Sequence, residues 1–327
     1  MISIAEKQTE RRFNIAFITL FAGLFLVAPS YYQPNQGGEG LLLPFNNVVW
    51  IFASFIIALA GLKILHSGSF RRPAMIYAML FFLAVTTFAA SINSVATPVA
   101  WLFRSLSIWG GVLFFVALAQ FPLNRRWREN LLFIFLVSAA IQAGYGLIHL
   151  LYTNPIPTWL PVSPGFPRGI FQQQNLNASY SATGLLVAFY LISTPSFKKR
   201  PLMIKLVPPI CAALTATTLI TAGSRIGLMG AAIGLIILFL ARYQQLWVAK
   251  KPATIVLCFA LAGAVVATQI ETKTGGLESG LTKMNTAVQN SSYRSAIYKS
   301  SWELIKEKPL FGYGIGQFQK VWHDKKV

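Results

Sequence analysis

The chain has 327 residues, 55% of them hydrophobic and only 11% charged. A soluble domain carries roughly 25% charged residues, so composition excludes an ordinary water-soluble fold. The formal charge of +19 is no nucleic-acid signal, because the cations stand between long apolar runs rather than along one basic face. In chain order, basic residues precede the first apolar run without a small-residue cleavage site, which predicts a first transmembrane helix rather than a removed signal peptide. Crossing a bilayer takes about 20 residues of apolar helix. Runs of that kind fall at 13–29, 45–65, 74–92, 99–120, 131–152, 177–194, 203–221, 226–242 and 252–270.

Lysine and arginine bias sets the orientation. With the N-terminus in the cytoplasm, the inner segments hold Arg11 and Arg12, Arg71 and Arg72, Arg125 to Arg128, Lys198 to Arg200, and Lys250 and Lys251. Before the last span, the outer loops hold only Arg168 and Arg225. The expected fold is therefore all-α: a polytopic integral membrane protein with about nine transmembrane helices. Residues 1–270 form the membrane domain, and 271–327 form a polar outer segment.

The inner basic runs have a bland explanation as orientation signals and lipid contacts. Arg104, near the outer end of the fourth span, admits two readings: snorkelling to the interface, or a role in a site. Gln142, Tyr145 and His149 occupy the outer half of the fifth span, with no second His or carboxylate spaced for a metal. A loop with prolines at 155, 157, 161, 164 and 167 should be stiff and extended. It leads into Arg168–Leu185, where Gln172, Gln173, Gln174, Asn175 and Asn177 stand directly beside an apolar span. Amides both donate and accept hydrogen bonds.

Arg225 begins the eighth span at its outer end, where charge and helix dipole both favour an anion; an interfacial arginine on ordinary lipid phosphate is the plainer alternative. Beyond the last span, Ser291–Lys308 reads as an amphipathic helix, with Tyr293, Ala296, Ile297, Leu304 and Ile305 near one face and Arg294, Tyr298 and Trp302 on another. Pro309 should end it, and alternating glycines follow at 312, 314 and 316. No nucleotide-binding glycine motif, HExxH or Walker sequence is present, and no paired carboxylates stand in the spans. That argues against an ATP-driven pump, a zinc protease or a carrier with a buried acidic relay.

Three stretches resemble a known group. GIFQQQNLNASYSATGL is similar to the glutamine-asparagine motif of bacterial protein O-oligosaccharyltransferases of the PglL type. TAGSRIGLMGAAIGL resembles the Ser-Arg helix start of the wider O-antigen ligase and polymerase superfamily, and RSAIYKSSWELIKEKPLFGYGIGQF resembles its outer-loop motif. Together they cover roughly 168–319; the earlier residues match only as generic spans. The resemblance implies transfer of an oligosaccharide from an undecaprenyl-pyrophosphate carrier, without metal, nucleotide or other cofactor. It implies work at the periplasmic face of the bacterial inner membrane, and a Ser or Thr of a periplasmic protein such as pilin as acceptor. Lipid A core is the acceptor in the ligases, and a further repeat unit in the polymerases.

The resemblance also assigns Arg225, Arg294 and Arg168 to the donor pyrophosphate, and Gln173, Gln174 and Asn175 to positioning glycan or acceptor. Members of the group carry a catalytic His further along a longer outer loop. Here the residues end at Trp322-His323-Asp324-Lys325-Lys326-Val327, so that His is expected beyond them, and an interrupted, inactive product is one expectation. Besides membrane lipids, the implied partners are the lipid-linked glycan and its acceptor. A lipid-linked glycan transporter is the non-enzymatic alternative, weakened because the polar groups gather at one end of the spans.

Overall fold

The structure, a computed structural model, describes residues 4–30, 44–92, 98–151, 167–171, 173–270, 291–310, 312–315 and 317–324. Every described element is helical. In chain order they are α1 (Ile4–Ala22), α2 (Pro44–Ser67), α3 (Ile76–Ile92), α4 (Pro98–Ala119), α5 (Arg125–Leu151) and α6 (Gln174–Ile192). Then come α7 (Leu202–Thr221), α8 (Arg225–Val248), α9 (Lys250–Gln269), α10 (Ser291–Glu307) and α11 (Phe318–Asp324). Each of the nine expected spans coincides with a helix. Among the described residues, six are long and apolar enough to cross a membrane, running from Asn47–Ser67 to Lys250–Gln269. The protein is an all-α, multi-pass membrane protein.

The three expected spans outside those six differ for local reasons. Charges at Lys7, Glu10, Arg11 and Arg12 fill the first half of α1, whose apolar part continues past Ala22 into a wider turn at Gly23–Val27. Ile76–Phe88 of α3 forms a shorter apolar helix. The first turns of α6 carry Gln174, Asn175, Asn177 and Ser181. Of these, Asn177 and Ser181 are buried among neighbouring helices, Gln174 is half-buried and Asn175 is exposed.

The chain divides into two compact units. One comprises residues 1–21, 35–122 and 286–327. Within it α2 packs on α4, with Gly110 facing the Trp50 ring so closely that a Cβ there would lie 2.5 Å from it. Phe17 stacks on Phe121 at 4.3 Å between centroids. Gln120 closes the α3 entry by accepting from the Arg71 amide and donating to the Arg71 carbonyl, both at 2.9 Å. In α10, Leu304 is buried and Ile297 partly so, while Tyr298 and Trp302 stand exposed on the opposite face as the spacing predicts. Ala296 and Ile305, both expected on the inner face, are exposed, Ile305 by 52%. One hundred degrees of helical rotation separates Ala296 from Ile297 and Ile305 from Leu304, which carries each out of contact.

The other unit comprises residues 22–34 and 123–285 and contains α5 to α9. Its apolar core joins Leu136, Leu185, Phe189, Ile192, Cys211 and Val256. Small residues let the helices approach, as is usual where lipid offers no hydrophobic drive for association. Gly184 lies against Ala139 and Thr215, and Gly263 against the Ala213 carbonyl, to which no Cβ could come so near. Thr217 donates from one α7 turn to the Gly263 carbonyl at 3.0 Å, fastening α7 to α9. α8 kinks at Arg242, whose guanidinium donates to the Ser193 hydroxyl at 3.2 Å and covers the Tyr190 ring at 5.0 Å. Glu129 at the start of α5 accepts from Arg125 Nε at 3.0 Å and from the Ser196 hydroxyl.

Residues 31–43, 93–97, 152–166 and 271–290, and Gln172, lie outside the described residues. The expectations of an irregular first outer loop and of a stiff proline-rich loop fall there, except at Pro167.

Candidate functional site at the heads of α6 and α8

The Arg168–Leu185 stretch begins with a tight turn. Gly169 adopts φ +59°, a left-handed conformation that a side chain strains against. The Phe171 amide then donates back to the Arg168 carbonyl at 3.1 Å. Two buried amides hold this turn from below. Asn177 Nδ2 donates to the Pro167 carbonyl at 2.9 Å, and the Ile170 amide donates to Gln142 Oε1 at 3.4 Å. Gln142 in turn donates from Nε2 to the Pro29 carbonyl at 3.4 Å. Gln142 is 1% exposed and Asn177 not exposed at all, so both act inside the bundle. Gly146 of α5 makes room for the clamp: a Cβ there would lie 2.8 Å from Asn177 Nδ2.

α6 starts immediately after. Gln173 is extended (φ −131°, ψ 137°), occupies the N-cap without a side-chain cap, and offers its carbonyl to the Leu176 amide at 3.1 Å. Its side chain is exposed, as is that of Asn175; Gln174 is half-buried. Helical spacing puts Gln174, Asn177 and Ser181 on one stripe. Among the described residues, Gln174 Oε1, Asn177 Oδ1 and Ser181 Oγ are buried without a hydrogen-bond partner. The amides Gln173 and Asn175 are thus presented outward, while Asn177 is spent on the loop.

α8 starts beside it. α7 ends at Thr221, and Gly223 (φ +58°) reverses the chain, its amide donating to the Ile220 carbonyl at 3.0 Å. Ser224 caps α8, its hydroxyl accepting from the Gly227 amide at 3.3 Å. Arg225 is the first helical residue and is half-buried. Gly227 faces α6: a Cβ on it would lie 3.0 Å from Ala178 Cβ. Ala178 stands one turn beyond Gln174, and Gly227 two residues beyond Arg225. The positive ends of two helix dipoles therefore share one end of the unit, with Arg225 at the head of one and Gln173, Gln174 and Asn175 at the head of the other.

Arg168 sits half-buried in the turn leading to the same end. Arg294 belongs to the first turn of α10 in the other unit, and its side chain lies outside the described residues. Gly312 and Gly314 both adopt positive φ, +59° and +94°, which accounts for glycine at those places after α10. His323 is exposed in the last turn of α11. Gln142 and Asn177 are what the sequence reading did not single out as a pair. The signal for Asn177 was its helical register with Gln174 and Ser181; nothing in the sequence marks Gln142 as its partner in holding the turn.

Residues 210–326 match a family model described as O-antigen ligase. The match includes Arg225, Arg294 and the glycines after α10, but not the Arg168–Asn175 turn. It supports placing the chain in the O-antigen ligase superfamily. No curated protein and no solved structure matches the chain.

Proposed function

We propose that this chain transfers an oligosaccharide from an undecaprenyl-pyrophosphate carrier to a Ser or Thr hydroxyl of a periplasmic protein such as pilin. The observation that carries the reading is the meeting of two helix N-termini at one end of the unit, one led by Arg225 and the other by the outward amides Gln173 and Asn175. In the transfer, the acceptor oxygen bonds to the anomeric carbon and the bond from that carbon to the pyrophosphate breaks. Negative charge grows on the leaving phosphate. Arginine and the backbone amides of a helix head are suited to that charge before it forms, which lowers the barrier without a metal. Gln173, Gln174 and Asn175 hold sugar or acceptor hydroxyls, Arg168 joins Arg225 on the pyrophosphate, and the resemblance assigns Arg294 to the same group. No described residue is assigned to take the hydroxyl proton.

The proposal includes the orientation argued from the charges: N-terminus in the cytoplasm, 1–270 in the bacterial inner membrane, 271–327 in the periplasm, and the α6–α8 heads at the periplasmic face. The match to a family described as O-antigen ligase favours a second reading, transfer of the same donor to lipid A core. The two separate in one experiment. The protein is expressed from its native gene in cells that supply a lipid-linked glycan and lack their own transferases, with both a pilin-like protein and lipid A core present. Glycan on the protein supports the first reading, glycan on the core the second, and glycan on neither refutes both.

A further inference from the structure

At the opposite end of the same unit, α7 and α9 begin side by side and enclose a cavity of about 500 Å³. Four lysines line it: Lys198 from the turn after α6, Lys205 from α7, and Lys250 and Lys251 from the start of α9. Among the described residues none of the four pairs with a carboxylate. The floor is apolar and belongs to the core, with Ile192 1% exposed, Phe197 6% and Val256 fully buried. Leu202, Leu206 and Ile255 continue the apolar wall outward, and all three are exposed where the helix surface would meet lipid.

Orientation signals need only lysines near a membrane surface; they do not need an apolar cavity beneath them. A cavity of this size is in the range that encloses a small ligand. Cations without a carboxylate partner among the described residues (Lys250 lies over the Trp247 ring at 6.0 Å) and a hydrocarbon wall below fit an anionic head on an acyl chain, and fit neither a sugar nor a zwitterion as well.

We propose that this cavity is a binding site for one anionic diacyl phospholipid, its phosphate among the four lysines and an acyl chain along Leu202, Leu206 and Ile255. On the orientation proposed above it opens to the cytoplasmic leaflet. Bound there, the lipid ties the α6–α7 turn to the α8–α9 junction. The site is distinct from the α6–α8 heads, and its test does not depend on transfer.

The test uses the full chain purified in neutral detergent, offered phosphatidylglycerol or phosphatidylcholine of identical acyl chains, with bound lipid counted by native mass spectrometry. Phosphatidylglycerol should be retained selectively and should raise the unfolding temperature. The K198Q/K205Q/K250Q/K251Q variant should lose that retention by about tenfold or more, since each lysine near a membrane surface adds appreciably to anionic-lipid binding. Removing lysines also weakens orientation, so Ile255→Trp provides a second route. It fills the cavity, leaves every charge in place, and should lower retention by a comparable factor. Equal retention of the two lipids by the unmodified protein overturns the proposal. So does undiminished retention in both variants. Inorganic phosphate that raises the unfolding temperature as much as phosphatidylglycerol would show a free-anion site and overturn the lipid assignment.

Discussion

Replacing Asn177 by alanine tests whether a buried amide sets the position of the outward ones. Asn177 is fully buried, and its side chain donates from Nδ2 to the buried Pro167 carbonyl at 2.9 Å. Losing it leaves an acceptor unsatisfied inside the protein, which costs about 1–3 kcal/mol. That loss falls on the turn rather than the whole bundle, because α6 keeps its contacts with α5, α7 and α8. The open form of the turn should therefore rise by about 5- to 150-fold, at a tenfold change for every 1.4 kcal/mol. Trypsin reads this directly at Arg168, where cleavage of the detergent-solubilised protein should speed up by a similar factor. Asn177→Asp keeps the shape but sets an acceptor against the Pro167 carbonyl, so it should be no better than alanine. Ser181→Ala is the matched control: its hydroxyl is equally buried and has no partner among the described residues, so its removal should be neutral or slightly stabilising. Cleavage at Arg168 that is no faster in Asn177→Ala than in Ser181→Ala would refute the reasoning.

Gly169→Ala should loosen the same turn, since a left-handed backbone costs a side chain about 1–2 kcal/mol and the new Cβ would lie 3.0 Å from the Gln142 carbonyl; the trypsin assay checks it. Arg225→Ala should reduce glycan transfer by about 10²–10³-fold, the usual loss for one donor aimed at developing charge, with little change in unfolding temperature because the residue is half-buried and outside the core. Arg225→Lys should recover only part of the rate, lacking the planar fork, and an unchanged rate in Arg225→Ala would remove the pyrophosphate role. Gly263→Val should cost about 1–3 kcal/mol or more by driving a side chain into the Ala213 carbonyl between α7 and α9, measured as a lowered unfolding temperature in detergent.

Much of the architecture was legible because membrane helices obey a length rule that acts on the sequence directly. Long apolar runs can satisfy their backbone in lipid only as helices, so each expected span coincides with one. The start of α8 was legible for a similarly local reason: a serine cap before Arg225, and a positive-φ glycine closing the turn from α7, act within a few residues. The amphipathic α10 was legible in outline. Its inner face was drawn too wide at Ala296 and Ile305, because spacing gives a direction but not the width of the surface it packs on.

Taken alone, the sequence determined that this is a helical membrane protein, where its helices lie, and which polar residues cluster at the helix heads. Those properties follow from chain-local physics: burial of apolar length, charge bias at loops, and helix register. Only the tertiary structure decided how the polar run at the head of α6 divides its work, with Gln173 and Asn175 turned outward and Asn177 turned in to hold Pro167. It alone set Gly227 against Ala178, so that two helix heads meet, and gathered Lys198, Lys205, Lys250 and Lys251 around one cavity. The reason is the same in each case. These relations join residues tens of positions apart, and they exist only where small side chains let particular helices pack closely.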